Sequence, residues 1–232
     1  MNFLELCRQV EIQSGTVDVS KLMTTVVDPT SRRLKVIGWV ATAWTLIQNA
    51  RMDWRFMRRE YSATLGANIA TYTGSDLSVA RFSAWYRDQR DYRAHTIYDP
   101  TIGRSDTSEL REISWNAWRS TYGRGVQTPE RPVYYAISPD ERICFGPTPD
   151  RGYQIEGEYY RQAQLLAADS DVPELPGQFH LIIVWRALML LAAHDEAREQ
   201  LGTASATYAE MLEKLEGSQL DRPKIAVGPP IA

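Results

Sequence analysis

The sequence predicts an α+β fold: a four-helix bundle formed by the N- and C-terminal segments, with the middle of the chain inserted as an antiparallel β-sheet or small sandwich. Three observations carry this. Apolar residues recur at helical spacing in Asn2–Gly15 and Thr30–Met57, apolar and polar residues alternate through Arg131–Arg161, and a second helical pattern begins near Pro176. The order helix, sheet, helix divides the chain into residues 1–59 (N-terminal helices), 60–164 (β insertion), 165–217 (C-terminal helices) and 218–232 (an extended arm).

Asn2 is placed to cap a first helix whose apolar positions Phe3, Leu6, Cys7 and Val10 share a face, and Gly15 is a natural stop. A polar, β-branched loop runs to Pro29. Thr30 or Ser31 then caps a long second helix in which Leu34, Ile37, Ala41, Trp44 and Ile47 or Gln48 trace a stripe continuing to about Met57. Two apolar helices so near in sequence should pack on one another.

From Glu60 the pattern changes to Thr, Tyr and β-branched residues punctuated by Gly66 and Gly74. Tyr61–Leu65 and Ile69–Tyr72 are predicted to pair across Gly66-Ala67-Asn68. Further strands are predicted at Phe82–Tyr86, Tyr92–Tyr98 and Leu110–Ile113. Ser114–Ser120 reads as a short helical turn that lets Trp115 and Trp118 share a face. A β-meander follows. Val133, Tyr135 and Ile137 alternate with Tyr134, Ala136 and Ser138, and Tyr153, Ile155, Gly157 and Tyr159 alternate with Gln154, Glu156, Glu158 and Tyr160. Ser138-Pro139-Asp140-Glu141 makes its first turn, and Gly146–Asp150 breaks the chain before its third strand.

Pro176 suits the first turn of a third helix that is apolar on nearly all sides and therefore central, with Ile182, Ile183 and Met189 on one side and Trp185, Leu188 and Leu191 on the other. Gly202 is expected to end it. Thr203 or Ser205 then caps a fourth helix carrying Tyr208, Met211, Leu212 and Leu215, which Gly217 ends. Beyond Pro223 the chain cannot be helical and forms an arm. Such a tail is usually disordered in the isolated monomer. Ile225, Val227 and Ile231 are nevertheless more apolar than a solvated tail needs, so docking against a partner, with ordering on contact, is the functional alternative.

At 232 residues the chain can bury roughly 70% of its unfolded surface and needs no disulfide framework. Cys7 and Cys144 lack metal-site spacing and read as small buried hydrophobes. The net charge of −3 gives no broad electrostatic footprint for nucleic acid. Of the 26 basic residues only Lys21, Lys35, Lys214 and Lys224 are lysines. Arg is enriched and Lys depleted in protein interfaces, so the bias suits a chain packed against its own copies; a GC-rich genome would give the same bias. The opening MNFLELCRQVE carries acidic residues within its apolar stretch, unlike a secretory signal. The longest apolar run, Leu181–Ala193, is interrupted by Arg186 and shorter than the ~20 residues of a membrane helix. A soluble protein made in the cytoplasm, with no membrane partner, is expected.

No GxSxG, HExxH, GxxxxGKS or GxGxxG motif occurs. His180 and His194 on the third helix stand ~21 Å apart, too far to share a metal, and read as surface or cap groups. The prolines of Gly146–Asp150 remove the amide donors that a phosphate loop requires. No metal or cofactor is expected. Glu156 and Glu158 share a strand face, which suits a glycosidase-like pair, a solvated surface or the wall of a DNA channel, where like charge would not retain a passing polyanion. Arg51, Arg55, Arg58 and Arg59 at helical spacing form a basic ridge beside Trp54 and Phe56, open to phosphates, to carboxylates of a neighbouring subunit or to intrachain pairs. Arg186 on the apolar helix must be met by a carboxylate or several carbonyls, and a structural ion pair is expected.

Five segments, NFLELCRQV, TAWTLIQNARMDWRFMRREYSATL, YRAHTIYDPTIGRSDTSELREISWNAWRSTYGRG, the Arg131–Arg161 meander and FHLIIVWRALMLLAAHDEA, follow one another in this chain. Their order resembles the head-to-tail adaptor proteins of tailed bacteriophages, also called connector, head-completion or tail tubular gatekeeper proteins, and most of all those of short-tailed phages. The resemblance implies a structural protein and not an enzyme. It implies a ring, a dodecamer in the known cases, between the portal protein and the tail or nozzle protein at the head-tail interface of the virion. Such a ring extends the DNA channel without sequence-specific binding, closes the filled head and docks the tail. By the same resemblance the arm would enter the portal through Arg222, Lys224, Ile225, Val227 and Ile231, and the β insertion would face the tail. Arg51, Arg55, Arg58 and Arg59 would meet a neighbouring subunit, and Glu156 and Glu158 would face the channel.

Two other classes are open to the residues themselves. A hydrolase would use the Tyr-rich sheet with Glu156 or Glu158, and a cleft gathering those groups with His95 would favour it. A carbohydrate-binding module would use exposed Trp85, Trp115 and Trp118, and a planar row of these rings on the sheet would favour that.

Overall fold

The computed structural model describes residues 1–15, 17–27, 32–87 and 93–220. The chain forms two compact units, one from Met1–Phe56 with Ala163–Ala232 and the other from Met57–Gln162.

Among the described residues, the α-helices of the first unit are α1 (Phe3–Ser14), α2 (Arg32–Asn49), α4 (Leu181–His194) and α5 (Arg198–Gln219), while α3 (Trp115–Thr121) belongs to the second. Helix α4 is central and packs on α1, α2 and α5. Its apolar circumference requires this, since Ile182, Ile183, Val184, Ala187, Leu188, Leu191 and Ala192 are all buried, each large aliphatic contributing about 1.5–3 kcal/mol. Gly177–His194 is long and apolar enough to cross a membrane, yet half of it is buried inside the protein. Packing against three helices accounts for that apolarity.

Helix α1 starts as its sequence predicts. Asn2 Oδ1 accepts from Glu5 N at 2.8 Å while Glu5 Oε2 accepts from Asn2 N at 2.9 Å, and Gly15 closes the helix with φ 63°. Glu11, 1% exposed, accepts from Met23 N at 2.7 Å and from Arg33 Nε at 3.2 Å, which ties the following loop and the start of α2 to α1.

Three expectations about the helices need correction. First, α2 stops at Asn49, well short of Met57. The Trp54 indole folds back and donates to the Ile47 carbonyl at 3.0 Å, satisfying a helix-end acceptor, and Arg55–Met57 form a 3-10 turn. Second, the inward stripe of α2 is Val36, Val40, Ala43, Trp44, Ile47 and Gln48, leaving Leu34 58% exposed. Apolar residues lie on several sides of this helix, so spacing alone leaves its phase open. Third, α4 ends at His194 and α5 runs through Gly202 and Gly217. The stop is Glu196 at φ 56°, with Ala197 N–H reaching the Ala192 carbonyl at 2.9 Å, a Schellman turn on a residue other than glycine. The expected caps Thr30 and Ser31 lie outside the described residues.

Two side chains of α4 and its approach also differ from expectation. Arg186 lies 5.4 Å from the ring centroid of Tyr208 and 3.8 Å from the Met189 sulfur, with its Nε buried and unpartnered among the described residues, instead of in an ion pair. Only half-buried, the guanidinium needs less than a full complement of acceptors. His180, expected as a surface or cap group, stands at the N-cap position of α4 without a side-chain cap bond; it is not at the surface but 3% exposed, with Nε2 3.1 Å from the Leu175 carbonyl, and burial lowers its pKa. His194 is exposed and its Nδ1 lies 2.8 Å from Asp195.

The second unit holds β1 (Arg58–Leu65), β2 (Thr71–Tyr72), β3 (Phe82–Trp85), β4 (His95–Tyr98), β5 (Ser108–Glu112), β6 (Tyr134–Ile137), β7 (Ile143–Gly146) and β8 (Tyr153–Arg161). They form one sheet in the order β1-β8-β4-β5-β6-β7-β2, with β3 also on β8. All pairs are antiparallel except β5 with β6. Helix α3 and the loop after it carry the chain back between those two strands, the crossover that a parallel pair needs. The expected antiparallel sheet or sandwich is therefore a single mixed sheet.

Two predicted pairings also change. Tyr61–Leu65 and Ile69–Tyr72 do not pair, because β1 matches β8 along its whole length, from Arg58↔Tyr160 to Leu65↔Tyr153, while β2 offers two residues. The third strand of the expected meander joins β1, β4 and β3 and not β7, for the same reason. The two ends of the strand order still meet. The Tyr72 hydroxyl accepts from Gly66 N at 2.6 Å and lies 3.3 Å from Gly66 O, so the sheet curls about one core that includes Tyr61, Leu65, Trp85, Ile97, Leu110, Tyr135, Phe145 and Ile155. Helix α3 covers the outer face over β6 and β7, burying Trp118 against Ala136 and Cys144.

Candidate functional site: an acidic cleft on the sheet

The alternation in β8 sends Ile155 and Tyr159 inward and Glu156 and Glu158 outward, as the sequence predicts. On β1 the outward register partners are Ser62, opposite Glu156, and Glu60, opposite Glu158; on β4, Thr96 stands opposite Glu156. Glu60, Ser62, Thr96, Glu156 and Glu158, with Arg104, line an open cleft of about 540 Å³. It is a polar groove running across three strands.

Its carboxylates are partly engaged. Arg104 reaches Glu156 at 2.5 Å, and Arg58 meets Glu158 at 3.3 Å while its guanidinium lies 4.5 Å from the Tyr86 ring centroid. One arginine of the expected basic ridge is thus joined to one of the two expected channel glutamates within the same chain. Arg51, in the other unit, pairs with Glu216 of α5 at 3.0 Å. Arg55 sits in the 3-10 turn, and Arg59, whose Nη1 donates to the Arg58 carbonyl at 2.8 Å, lies on β1. The four arginines do not form one helical ridge, because α2 ends before the first of them. Arg222, Lys224, Ile225, Val227 and Ile231 lie outside the described residues.

Beneath the cleft, on the opposite face of the sheet, His95 is fully buried. Its Nδ1 lies 3.2 Å from the Tyr61 hydroxyl, its ring is 4.7 Å from that of Tyr135, and its Nε2 has no partner among the described residues. Burial alone pushes its pKa down to about 3, and the same burial raises those of Tyr61 and Tyr135. The sheet separates this imidazole from Glu156 and Glu158, so the cleft does not gather the three groups that a hydrolase was expected to bring together. Trp85 and Trp118 are 2% and 7% exposed, and their indoles donate to the Glu141 and Phe145 carbonyls. Trp115 stacks on Trp118 at 5.3 Å. The planar row of exposed tryptophans expected of a carbohydrate-binding module is therefore not formed; these rings were needed to fill the sheet core and to seat α3.

Sequence reasoning missed Glu60 and Arg104. Glu60 is brought to Glu158 by strand register, and Arg104 reaches Glu156 from the 3-10 turn Arg104–Asp106; both come from distant segments, and nothing in the local spacing signals it.

The fold gives two compact units, and the cleft is a polar groove on one of them. The class of protein comes from the match to known families: the family model described as SU10 adaptor protein covers residues 1–228, and the chain belongs to that family of bacteriophage adaptors. No curated protein matches the sequence. Membership makes the chain a structural component in virion assembly and implies portal and tail components as its partners at the head-tail region of the particle.

Proposed function

We propose that the protein is a head-to-tail adaptor that closes as a ring between the portal and the tail, extends the DNA channel and presents the docking surface for the tail. The observation that supports this most directly is the family match across residues 1–228, which spans both compact units and continues past α5. In this reading the helices form a bundle from which the arm extends, and the curled sheet is the part turned toward the tail. The arm carrying Arg222, Lys224, Ile225, Val227 and Ile231 enters the portal, where its aliphatic residues bury and its cations pair. Arg51 and Arg58 act inside each copy as struts, through Glu216 and Glu158.

Purified full-length chain mixed with the portal ring of the same phage tests this. Stable co-sedimentation, with an added layer in electron micrographs, is the expected result. A version ending at Gly217 should lose most of that binding. Failure of the full-length chain to bind portal would remove the adaptor reading, whereas undiminished binding by the shortened one would remove only the role of the arm.

A further inference from the structure

A closed ring needs two unlike patches on each copy, one that reaches the next copy and one that receives the previous. The sheet unit carries such a pair, and naming it rests on the ring reading above. On the outer face of β5 and β6, Arg111 stands beside its register partner Tyr134, whose ring is 6.4 Å from that of Tyr122 at the end of α3. Tyr122 fills the space over Gly146, where a Cβ would come within 2.4 Å of its ring. Arg119 and Arg124 flank Tyr122 in the chain. Arg111, Arg119 and Arg124 are exposed, and among the described residues none of the three guanidinium groups has an ion-pair or hydrogen-bond partner. Aromatic rings set among arginines are the make-up of protein interface centres.

The complement lies across the same unit. Strand β8, the floor of the acidic cleft, is three places from β6 in the strand order. Because the sheet curls until β2 touches the end of β1, those two strands face outward on opposite sides. Helix α3 lies on the outer face over β6 and β7, and the cleft is concave. Glu156 and Glu158 hold Arg104 and Arg58, but Glu60 is exposed and has no cation among the described residues. We propose that the α3 patch of one copy seats in the β1/β8/β4 cleft of the next, with the free arginines supplying the cation that Glu60 lacks. This places Glu156 and Glu158 at the contact between copies and not on the channel wall.

Charge reversal tests it in the full chain. Arg119→Glu and Glu60→Arg, made singly, should each weaken association between copies about ten-fold or more, read by sedimentation of the chain alone and by microscopy of the chain mounted on portal. Both substitutions in one chain should restore closure. So should an equimolar mixture of the two single variants, since alternating copies then meet with opposite charge at every contact. Thermal unfolding should stay within a few degrees of the parent, as for other surface substitutions. Assembly indifferent to both single variants, or not restored by either combination, overturns this interface and leaves the ring standing. A parent chain with no contact between copies, free or on portal, overturns both. Lost DNA binding by Arg119→Glu with assembly intact would assign the patch to a polyanion and also overturn the interface.

Discussion

Gly157 of β8 and His95 of β4 are register partners, and a Cβ on the glycine would lie 2.0 Å from the imidazole Nδ1. The missing side chain is the space that the ring occupies. Gly157→Ala should therefore destabilise the sheet unit by about 1–3 kcal/mol or more through overpacking. Denaturant unfolding of the single variant and of Gly157→Ala with His95→Ala checks the cause, because the second substitution should recover part of the loss.

The same histidine sets an acid response. Its pKa falls from 6.5 in the unfolded chain to about 3 in the fold, so below about pH 6.5 the unfolded chain binds the proton that the folded chain refuses. Stability from this group is full above pH 6.5 and is lost as pH drops toward 3. Between pH 7 and pH 5 the loss should be about 2 kcal/mol, at roughly 1.4 kcal/mol per unit once the unfolded side chain is charged. His180, also lowered by burial, adds in the same direction. His95→Leu should flatten most of the slope, and an unchanged slope in that variant would show that other groups set it.

Glu196 takes a left-handed conformation at φ 56° on the surface between α4 and α5. An L side chain there is strained, and glycine removes the strain while adding freedom to the unfolded chain. The net effect of Glu196→Gly should be a stabilisation of about 0.5–1 kcal/mol, visible as a higher Tm. A lower Tm would mean that the carboxylate does more than turn the chain.

Cys7 and Cys144 are buried free thiols. Burial, aided by the charges of Glu11 and Asp169, pushes the Cys7 thiol up to about 12 from its ordinary value of 9.0, and Cys144 is raised by burial as well. The thiolate fraction of Cys7 near neutral pH is then about a thousand-fold lower than in an unfolded chain. A thiol reagent should label neither residue appreciably in the native protein and both in denaturant.

Much of the helical half was legible because its signals are local. Asn2 with Glu5 and Gly15 bound α1 within a few residues, and the apolar girth of Ile182–Ala192 marks a central helix whatever surrounds it. The ends of α2 and α4 were not, since they depend on Trp54 returning to Ile47 and on Glu196 adopting a glycine-like turn. In the sheet, alternation showed which residues of β8 point outward but not which strand lies beside it. That choice belongs to the match in length between β1 and β8. The acidic cleft was half visible for the same reason: Glu156 and Glu158 share a strand, whereas Glu60 and Arg104 arrive from elsewhere.

Strands β1 and β8 are the first and last of the sheet unit, and they run side by side with Arg58 opposite Tyr160. The polypeptide therefore leaves the helices and returns to them at neighbouring points, like a cassette held by a single clip. A few residues joining Phe56 to Ala163 would suffice to close the remaining helices. On this plan the whole β cassette can be exchanged in one step, with every surface it carries, while the helical body is left untouched.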